Sequence, residues 1–444
     1  MTTRSVLRWL DPPDCVVDPD VARSLGGHPL VARILAQRGY NTLDAARAFL
    51  DPACYHPTPA EDLPDLITAS EHLQRAIHDH QPILVWGDFD VDGQTSTALL
   101  VEALRLLGAS VDFYIPHRLR ESHGILIDSL KTQLERFPAA LLITCDTGVS
   151  AHDSIDYAKS AGLTVLITDH HDLPPELPPA DAVVNPKRLP AHHPLATLPG
   201  VGTAYKLVEH LYTRLDRASD LDRFLDLVAL GIVVDVAHQT GDTRYLLQRG
   251  LDQLRATQRL GLQTLIERAG LQASALSATD IAFQIGPRLN AAGRLDDARP
   301  VVELLTTSDP GRAQVLAAQL DGLNQARQLE GRQIYSAAQE QIERDPSLLD
   351  WEALILASPR WHPGLIGLVA SQLAEFYQRP TVLFSLAEDG VARGSARSVP
   401  GYDIGAAIAA QADLLLHHGG HPGAAGLSLP ADHIPAFRRR LSDT

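Results

Sequence analysis

The stretch Ile83-Leu84-Val85-Trp86-Gly87-Asp88-Phe89-Asp90-Val91-Asp92-Gly93 decides the fold. Four apolar residues make a short buried strand, and the acidic run after Gly87 ends it. Ser96 to Leu107 then carries the period of a helix. The alternation repeats downstream, with strands over Val111 to Ile115, Leu141 to Thr144, Val165 to Thr168 and Ala182 to Val184, and a helix over Ser154 to Ala161. Short apolar strands alternating with helices predict an α/β fold with a parallel sheet covered on both faces.

In open sheets of this kind, ligands bind beyond the carboxyl ends of the strands. Three acidic motifs fall there: Asp88, Asp90 and Asp92 after the first strand, Asp146-Thr147-Gly148 after the third, and Asp169-His170-His171 after the fourth. Asp235 closes the apolar run Leu230-Gly231-Ile232-Val233-Val234 and is read as a fourth strand end. One Asp-Gly turn is an ordinary loop feature. Three aspartates within five residues repel one another strongly unless cations neutralise them. Carboxylate oxygens with imidazole nitrogens suit Mn²⁺, Mg²⁺ or Fe²⁺, and zinc less specifically. Two such ions about 3.5–4 Å apart serve phosphoryl chemistry.

At 444 residues the chain is long enough for two or three domains of roughly 100–200 residues. We divide it into a helical N-terminal extension over 1–75, a catalytic domain over 76–240, a helical connecting segment over 241–349 and a smaller α/β domain over 350–444. Within the last part, Ala353 to Leu356 and Thr381 to Phe384 read as strands around a helix over Leu365 to Phe376, and Ala313 to Glu343 reads as one long helix before them.

These motifs carry a resemblance. Asp88-x-Asp90-x-Asp92-Gly93, Asp146-x-Gly148, Asp169-His170-His171 and Asp235 resemble the four motifs of the DHH phosphoesterases, a family named from the third. Pro287-Arg288-Leu289-Asn290-Ala291-Ala292-Gly293-Arg294 is similar to a segment of the RecJ single-strand-specific exonucleases. Gly364-Leu365-Ile366-Gly367, Gly394-Ser395-Ala396-Arg397-Ser398 and Gly419-Gly420-His421-Pro422-Gly423 resemble the DHH-associated C-terminal domain. The resemblance covers nearly the whole chain.

It implies a two-metal exonuclease, with Mn²⁺ or Mg²⁺, releasing 5′ mononucleotides from single-stranded DNA in the 5′ to 3′ direction for repair and recombination. The alternative is a phosphodiesterase for short oligonucleotides or cyclic dinucleotides. By the resemblance, Asp90 and Asp146 hold one metal with help from Asp88. Asp92, His170 and Asp235 hold the other, with Asp146 bridging, and His171 contacts the scissile phosphate or completes the site. Asp169 is expected to orient a histidine. Arg288, Asn290 and Arg294 on the connecting segment, and Ser395, Arg397, Gly419, Gly420 and His421 in glycine-rich turns, are expected to bind phosphate or sugar. The chain departs from the family pattern at His123, where a tyrosine is usual, and at Ile232, Ala237-His238 and Gln372.

The formal net charge of −16 argues against general attraction to nucleic acid, although cations bound at a carboxylate site invert the local field. Three scattered cysteines make a disulfide framework unexpected, and Cys145 reads as a buried inert thiol. No apolar run approaches the ~20 residues of a membrane span, and the opening Met1-Thr2-Thr3-Arg4 is unlike a secretory signal, so a cytoplasmic location is expected. About 18 residues follow Gly426, too few for an OB-fold, so a DNA-binding partner protein is expected to supply grip on the strand.

Overall fold

The computed structural model describes residues 10–12, 14–121 and 123–443. The opening residues Met1 to Arg4 and Pro13 therefore lie outside the described part. The chain forms two compact units, one over Leu10–Gly322 and the other from Leu323 onward.

The first unit is built on a five-stranded sheet of β1 (Ile83–Trp86), β2 (Val111–Tyr114), β3 (Leu141–Cys145), β4 (Thr164–Thr168) and β5 (Ala182–Val184). All neighbours pair in parallel, in the order β2-β1-β3-β4-β5. The order reverses between β1 and β3, and a sheet of this topology opens a crevice at that reversal. Ile83 pairs with Leu141 and Trp86 with Thr144, while Cys145 pairs with Thr168, so the carboxyl ends of β1, β3 and β4 lie level. Every residue of β1 and β3 is buried, which is why they read as unbroken apolar runs. Leu84, Trp86, Leu142, Val165 and Ile167 pack with Leu130, Ile155 and Ala158 of the helices Ile127–Arg136 and His152–Ser160.

The helix after β1 runs Val91–Leu106, five residues earlier than its apolar period suggests. The Asp90 carboxylate accepts the Gly93 N–H at 3.1 Å and caps it. Thr95, Ser96 and Thr97 are buried, and each hydroxyl donates to the carbonyl four residues back, at 2.7 Å. Those internal bonds let a polar first turn enter the core. The segment before β1 is docked rather than trailing. Buried Asp242 accepts from Tyr55 Oη at 2.8 Å, from the Thr58 N–H at 3.0 Å and from Thr58 Oγ1 at 2.7 Å, with Lys206 Nζ at 3.3 Å.

Asp235 does not follow a strand. It is the C-cap of the helix Leu225–Val234. That helix is buried over nearly its whole length, so its sequence shows no amphipathic period, and a short apolar run cannot be told from a strand by pattern alone.

The second unit carries a mixed sheet of β6 (Leu354–Ser358), β7 (Thr381–Leu386), β8 (Val391–Arg397), β9 (His417–His421) and β10 (Ala424–Pro430), in the order β6-β7-β8-β10-β9. Only β6 and β7 pair in parallel. Val382, Phe384, Ala396, Leu427 and Phe437 form its core with the helices Ile404–Ala409 and Ile434–Ser442. The expected long helix is continuous over Pro310–Arg344 and straddles the division between the units. Gly394 to Arg397 and Gly419 to His421, expected as turns, are strand residues of β8 and β9. His417 and His418 also lie on β9 and are exposed.

Candidate metal centre

The level strand ends bring Asp88, Asp90, Asp92, Asp146, His170 and His171 together, and the end of the helix Leu225–Val234 adds Asp235. Three sets offer ligand atoms within 4.8 Å of one another: Asp88, Asp90 and Asp146; Asp92, His170 and Asp235; Asp146, His170 and His171. Asp146 and His170 each belong to two sets, as groups shared between adjacent cations would. The donors are oxygen and imidazole nitrogen, which suit a divalent cation.

Burial sharpens the fit. Asp88 is 1% exposed, and Asp92 and Asp146 are each 2%. The Oδ1 atoms of Asp88 and Asp146 are buried and accept no hydrogen bond. A buried carboxylate oxygen without a partner is costly unless a cation supplies one. Desolvation, then repulsion from Asp235, raises Asp92 to about 7, with His170 pulling the other way. Desolvation and Asp90 raise Asp235 to about 7 as well. Asp146 is pushed well above the usual carboxylate range by burial and by Asp92, Asp90 and Asp88. Charge of one sign is thus concentrated where only added positive charge relieves it.

Asp146 has φ +60°, a left-handed conformation that costs an ordinary residue about 1–2 kcal/mol and that aspartate tolerates better than most. The turn follows directly from β3, and the Asp146 N–H still donates to Thr168 O at 2.9 Å. His170 Nε2 stands 3.0 Å from Asp146 Oδ1 and 3.7 Å from Asp92 Oδ2. Burial lowers the His170 pKa, which keeps the ring neutral and able to ligate.

Asp169 belongs to none of the three ligand sets. Its Oδ1 takes His171 Nδ1 at 2.7 Å and its Oδ2 accepts the Val149 N–H at 2.9 Å. Burial alone would lower the His171 pKa, but the bond and charge of Asp169 outweigh it and raise it to about 9. With Nδ1 committed to Asp169, Nε2 is the nitrogen left for chemistry.

Several contributors were not singled out by sequence. The N–H groups of Gly200 and Val201, at the start of the 15-residue helix Gly200–Arg214, donate to the two oxygens of Asp92 at 2.6 and 2.8 Å. A Cβ on Gly200 would stand 2.6 Å from Asp146 Oδ1, so only glycine permits this approach. The glycines of Pro199-Gly200-Val201-Gly202 were the available signal. Arg118 donates through Nε to Gly293 O at 3.1 Å and lies 4.0 Å over the Phe89 ring. A lone arginine offers no pattern to read.

Beside the carboxylates opens a cleft of about 160 Å³ lined by Asp90, Asp92, Asp235, Arg118, Asn290 and Arg294. Asn290 and Arg294 ride on the helix Gly286–Leu295, which Gly293 lets lie against the β1 loop, since a Cβ there would stand 2.0 Å from Phe89 O. Arg288, on the same helix, does not line the cleft. Its Nε donates to Asp321 at 3.1 Å and its Nη1 to Gln284 O at 2.7 Å.

In the second unit, Ser395 pairs with Gly426 and Gly426 with Gly419, while Arg397 pairs with Ala424 and Ala424 with His421. The two-residue period of strands puts Ser395, Arg397, Gly419 and His421 on one face of the sheet, and Gly420 on the other. Arg397 Nη1 donates to Ser395 Oγ at 2.9 Å. The helix Ile366–Tyr377 begins beside them: a Cβ on Gly367 would stand 2.8 Å from both Arg397 Nη2 and Ser395 Oγ. Arginine, serine and a helix N-terminus together favour an anion.

An acidic centre at the switch point of a parallel sheet, with a separate anion-suited unit, defines a two-domain phosphoesterase of the DHH class. Residues 82–232 match the DHH family, N-terminal domain, and residues 352–444 match the DHHA1 domain. The single-stranded-DNA-specific exonuclease RecJ of Bacillus subtilis is 38% identical, covering 99% of this chain and 55% of its own length. That of Escherichia coli is 38% identical, covering 94% of this chain and 74% of its own length. A crystal structure of exonuclease RecJ bound to manganese superposes with a TM-score of 0.76 at 34% identity, covering 87% of this chain and 96% of that one. The chain belongs to the RecJ family, and it spans about half the length of the B. subtilis relative. Among the described residues, no helix is long and apolar enough to cross a membrane.

Proposed function

We propose that this chain is a metal-dependent exonuclease that hydrolyses phosphodiester bonds of single-stranded DNA from the 5′ end, in the service of repair and recombination. The observation that carries the reading is the set of buried carboxylates whose unpartnered oxygens converge beyond β1 and β3. Membership in the RecJ family supports the substrate, and the manganese-bound relative supports Mn²⁺ as the cation, with Mg²⁺ as the alternative.

Asp88, Asp90 and Asp146 would hold one cation, and Asp92, His170 and Asp235 the other, with Asp146 shared. The chemistry such a pair supplies is neutralisation of charge at the scissile phosphate and acidification of water. The rest is done by the chain. Gly200 and Val201 fix both oxygens of Asp92. Asp169 holds the His171 ring so that Nε2–H donates to a phosphate oxygen. Arg118, Asn290 and Arg294 orient the strand in the cleft. In the second unit Ser395, Arg397, Gly419 and His421 hold a further phosphate, with Gly420 shaping the strand beneath it. Arg288 holds the connecting helix through Asp321 and has only an indirect part in binding. Residues 76–240 would thus carry the chemistry and 350–444 the substrate contact, with 1–75 and 241–349 as support.

The test is Mn²⁺-dependent release of mononucleotides from single strands labelled at either end, beside duplex and dinucleotide controls. Release of the 5′ label first, from single strands and in preference to dinucleotides, is expected. Equal cutting of duplex, or turnover confined to dinucleotides, would overturn the reading.

A further inference from the structure

We infer that His123 is a positioning residue for the metal centre: its imidazole fixes the Asp88 carboxylate so that Oδ1 faces the cation shared with Asp90 and Asp146. This rests on the two-cation reading above.

His123 Nδ1 lies 2.8 Å from Asp88 Oδ2. The other oxygen, Oδ1, is buried and accepts no hydrogen bond, and Asp88 joins Asp90 and Asp146 in one set of ligand atoms. A carboxylate hinged at χ2 has two nearly equivalent oxygens. A donor on one of them selects which lone pairs are left for a cation. The more usual arrangement has a carboxylate orienting a ligating histidine, as Asp169 does for His171. At Asp88 the roles are exchanged, with the histidine outside and the carboxylate inside.

The imidazole is half in solvent, with 59% of its side chain exposed, so its place depends on the segment that carries it. That segment is pinned on both sides. Before it, Glu121 accepts from Tyr114 Oη at 2.8 Å and from the His117 N–H at 2.6 Å. After it, Trp86 Nε1 donates to Gly124 O at 3.2 Å and Ser154 Oγ to Ile125 O at 2.5 Å. The ring also packs on Phe89, centroids 4.2 Å apart, and Phe89 is itself 1% exposed. Trp86, Asp88 and Phe89 all belong to the β1 end, so the segment and the carboxylate it orients are fastened to the same strand.

The test uses the full chain with two variants. His123→Phe keeps an aromatic ring on Phe89 and removes the donor. His123→Asn restores an N–H near the Nδ1 position. Mn²⁺ binding is read by calorimetry and by electron paramagnetic resonance of free ion, and metal-free melting checks the fold. In His123→Phe, one of two Mn²⁺ ions is expected to bind about 10–100-fold more weakly, with metal-free melting unchanged. His123→Asn is expected to recover most of that loss. Wild-type affinity for both ions in His123→Phe overturns the inference. So does an equal loss at both ions, or a His123→Asn variant as weak as His123→Phe. A wild-type protein that binds fewer than two ions overturns instead the two-cation reading, and this inference with it.

Discussion

In the first unit, Asp88, Asp92 and Asp146 are packed together at 1–2% exposure, and Asp88 and Asp146 each keep a buried Oδ1 that accepts no hydrogen bond. In the second, Ser395, Arg397, Gly419 and His421 lie along a sheet face whose outer strand is exposed throughout. The first region concentrates negative charge in low dielectric and is incomplete until cations arrive. The second sets the Arg397 guanidinium against the Ser395 hydroxyl beside an exposed strand, an arrangement suited to an anion. The difference separates two tasks: a buried, mutually repelling cluster alters the chemistry of what binds, whereas an open row of donors only holds it.

The sharpest break in that comparison is Asp146→Asn, which keeps the left-handed backbone asparagine tolerates and removes the charge shared by two ligand sets. Turnover should fall by about 10³-fold or more, while metal-free melting stays level or rises because repulsion is relieved. Rates near wild type would remove Asp146 from the centre. Gly200→Ala comes next. Its Cβ would press on Asp146 Oδ1, and a displacement of this kind typically costs on the order of 10²-fold in rate. Single-turnover kinetics at saturating Mn²⁺ would show it, and an unaffected rate would mean that the helix Gly200–Arg214 yields without cost.

Arg397→Ala should act on the other side of the comparison. A charge-assisted phosphate contact contributes about 1.5–3 kcal/mol, so KM should rise by roughly 10-fold or more while kcat holds. The salt dependence of binding should flatten together with it. A fall in kcat at constant KM would place Arg397 with the chemistry instead.

The smallest effect is on stability against pH. Asp92 and Asp235 have folded-state pKa values of about 7, above the ordinary carboxylate value, so the folded protein binds more protons than the unfolded chain between about pH 4 and 7. Their contribution is present in full below the unfolded pKa and is lost as pH rises through about 7. Metal-free melting temperature should therefore drift down by a few degrees across that window, and saturating Mn²⁺ should remove the drift. A metal-free curve that instead rises toward pH 7 would assign the buried charges a partner within the protein.

Much of this was legible in the sequence. The strands β1, β3 and β4 announce themselves as short apolar runs closed by Asp motifs, and six of the seven acidic and imidazole residues follow from those ends. Asp235 was placed correctly in the cluster but on the wrong element, because a helix buried on all sides loses its period. The glycine-rich segments of β8 and β9 read as turns since glycine is depleted in strands; here it keeps a sheet face open beside Arg397. The N–H groups of Gly200 and Val201 were illegible for another reason: a backbone donor has no side-chain identity, and only the fold says which one meets a carboxylate.

Trp86 has a practical consequence. Its indole is fully buried at the end of β1, two residues before Asp88, and its Nε1 is tied to Gly124 O beside His123. The other three tryptophans are Trp9, Trp351 and Trp361. With those three replaced by phenylalanine, the emission of Trp86 becomes an intrinsic optical readout of the centre. Filling the carboxylate cluster is expected to change the electric field across the indole and to shift its emission maximum. A paramagnetic ion adds quenching that a diamagnetic one does not. The protein thus carries a reporter with which the loading of the site can be followed in stopped flow, without label or substrate.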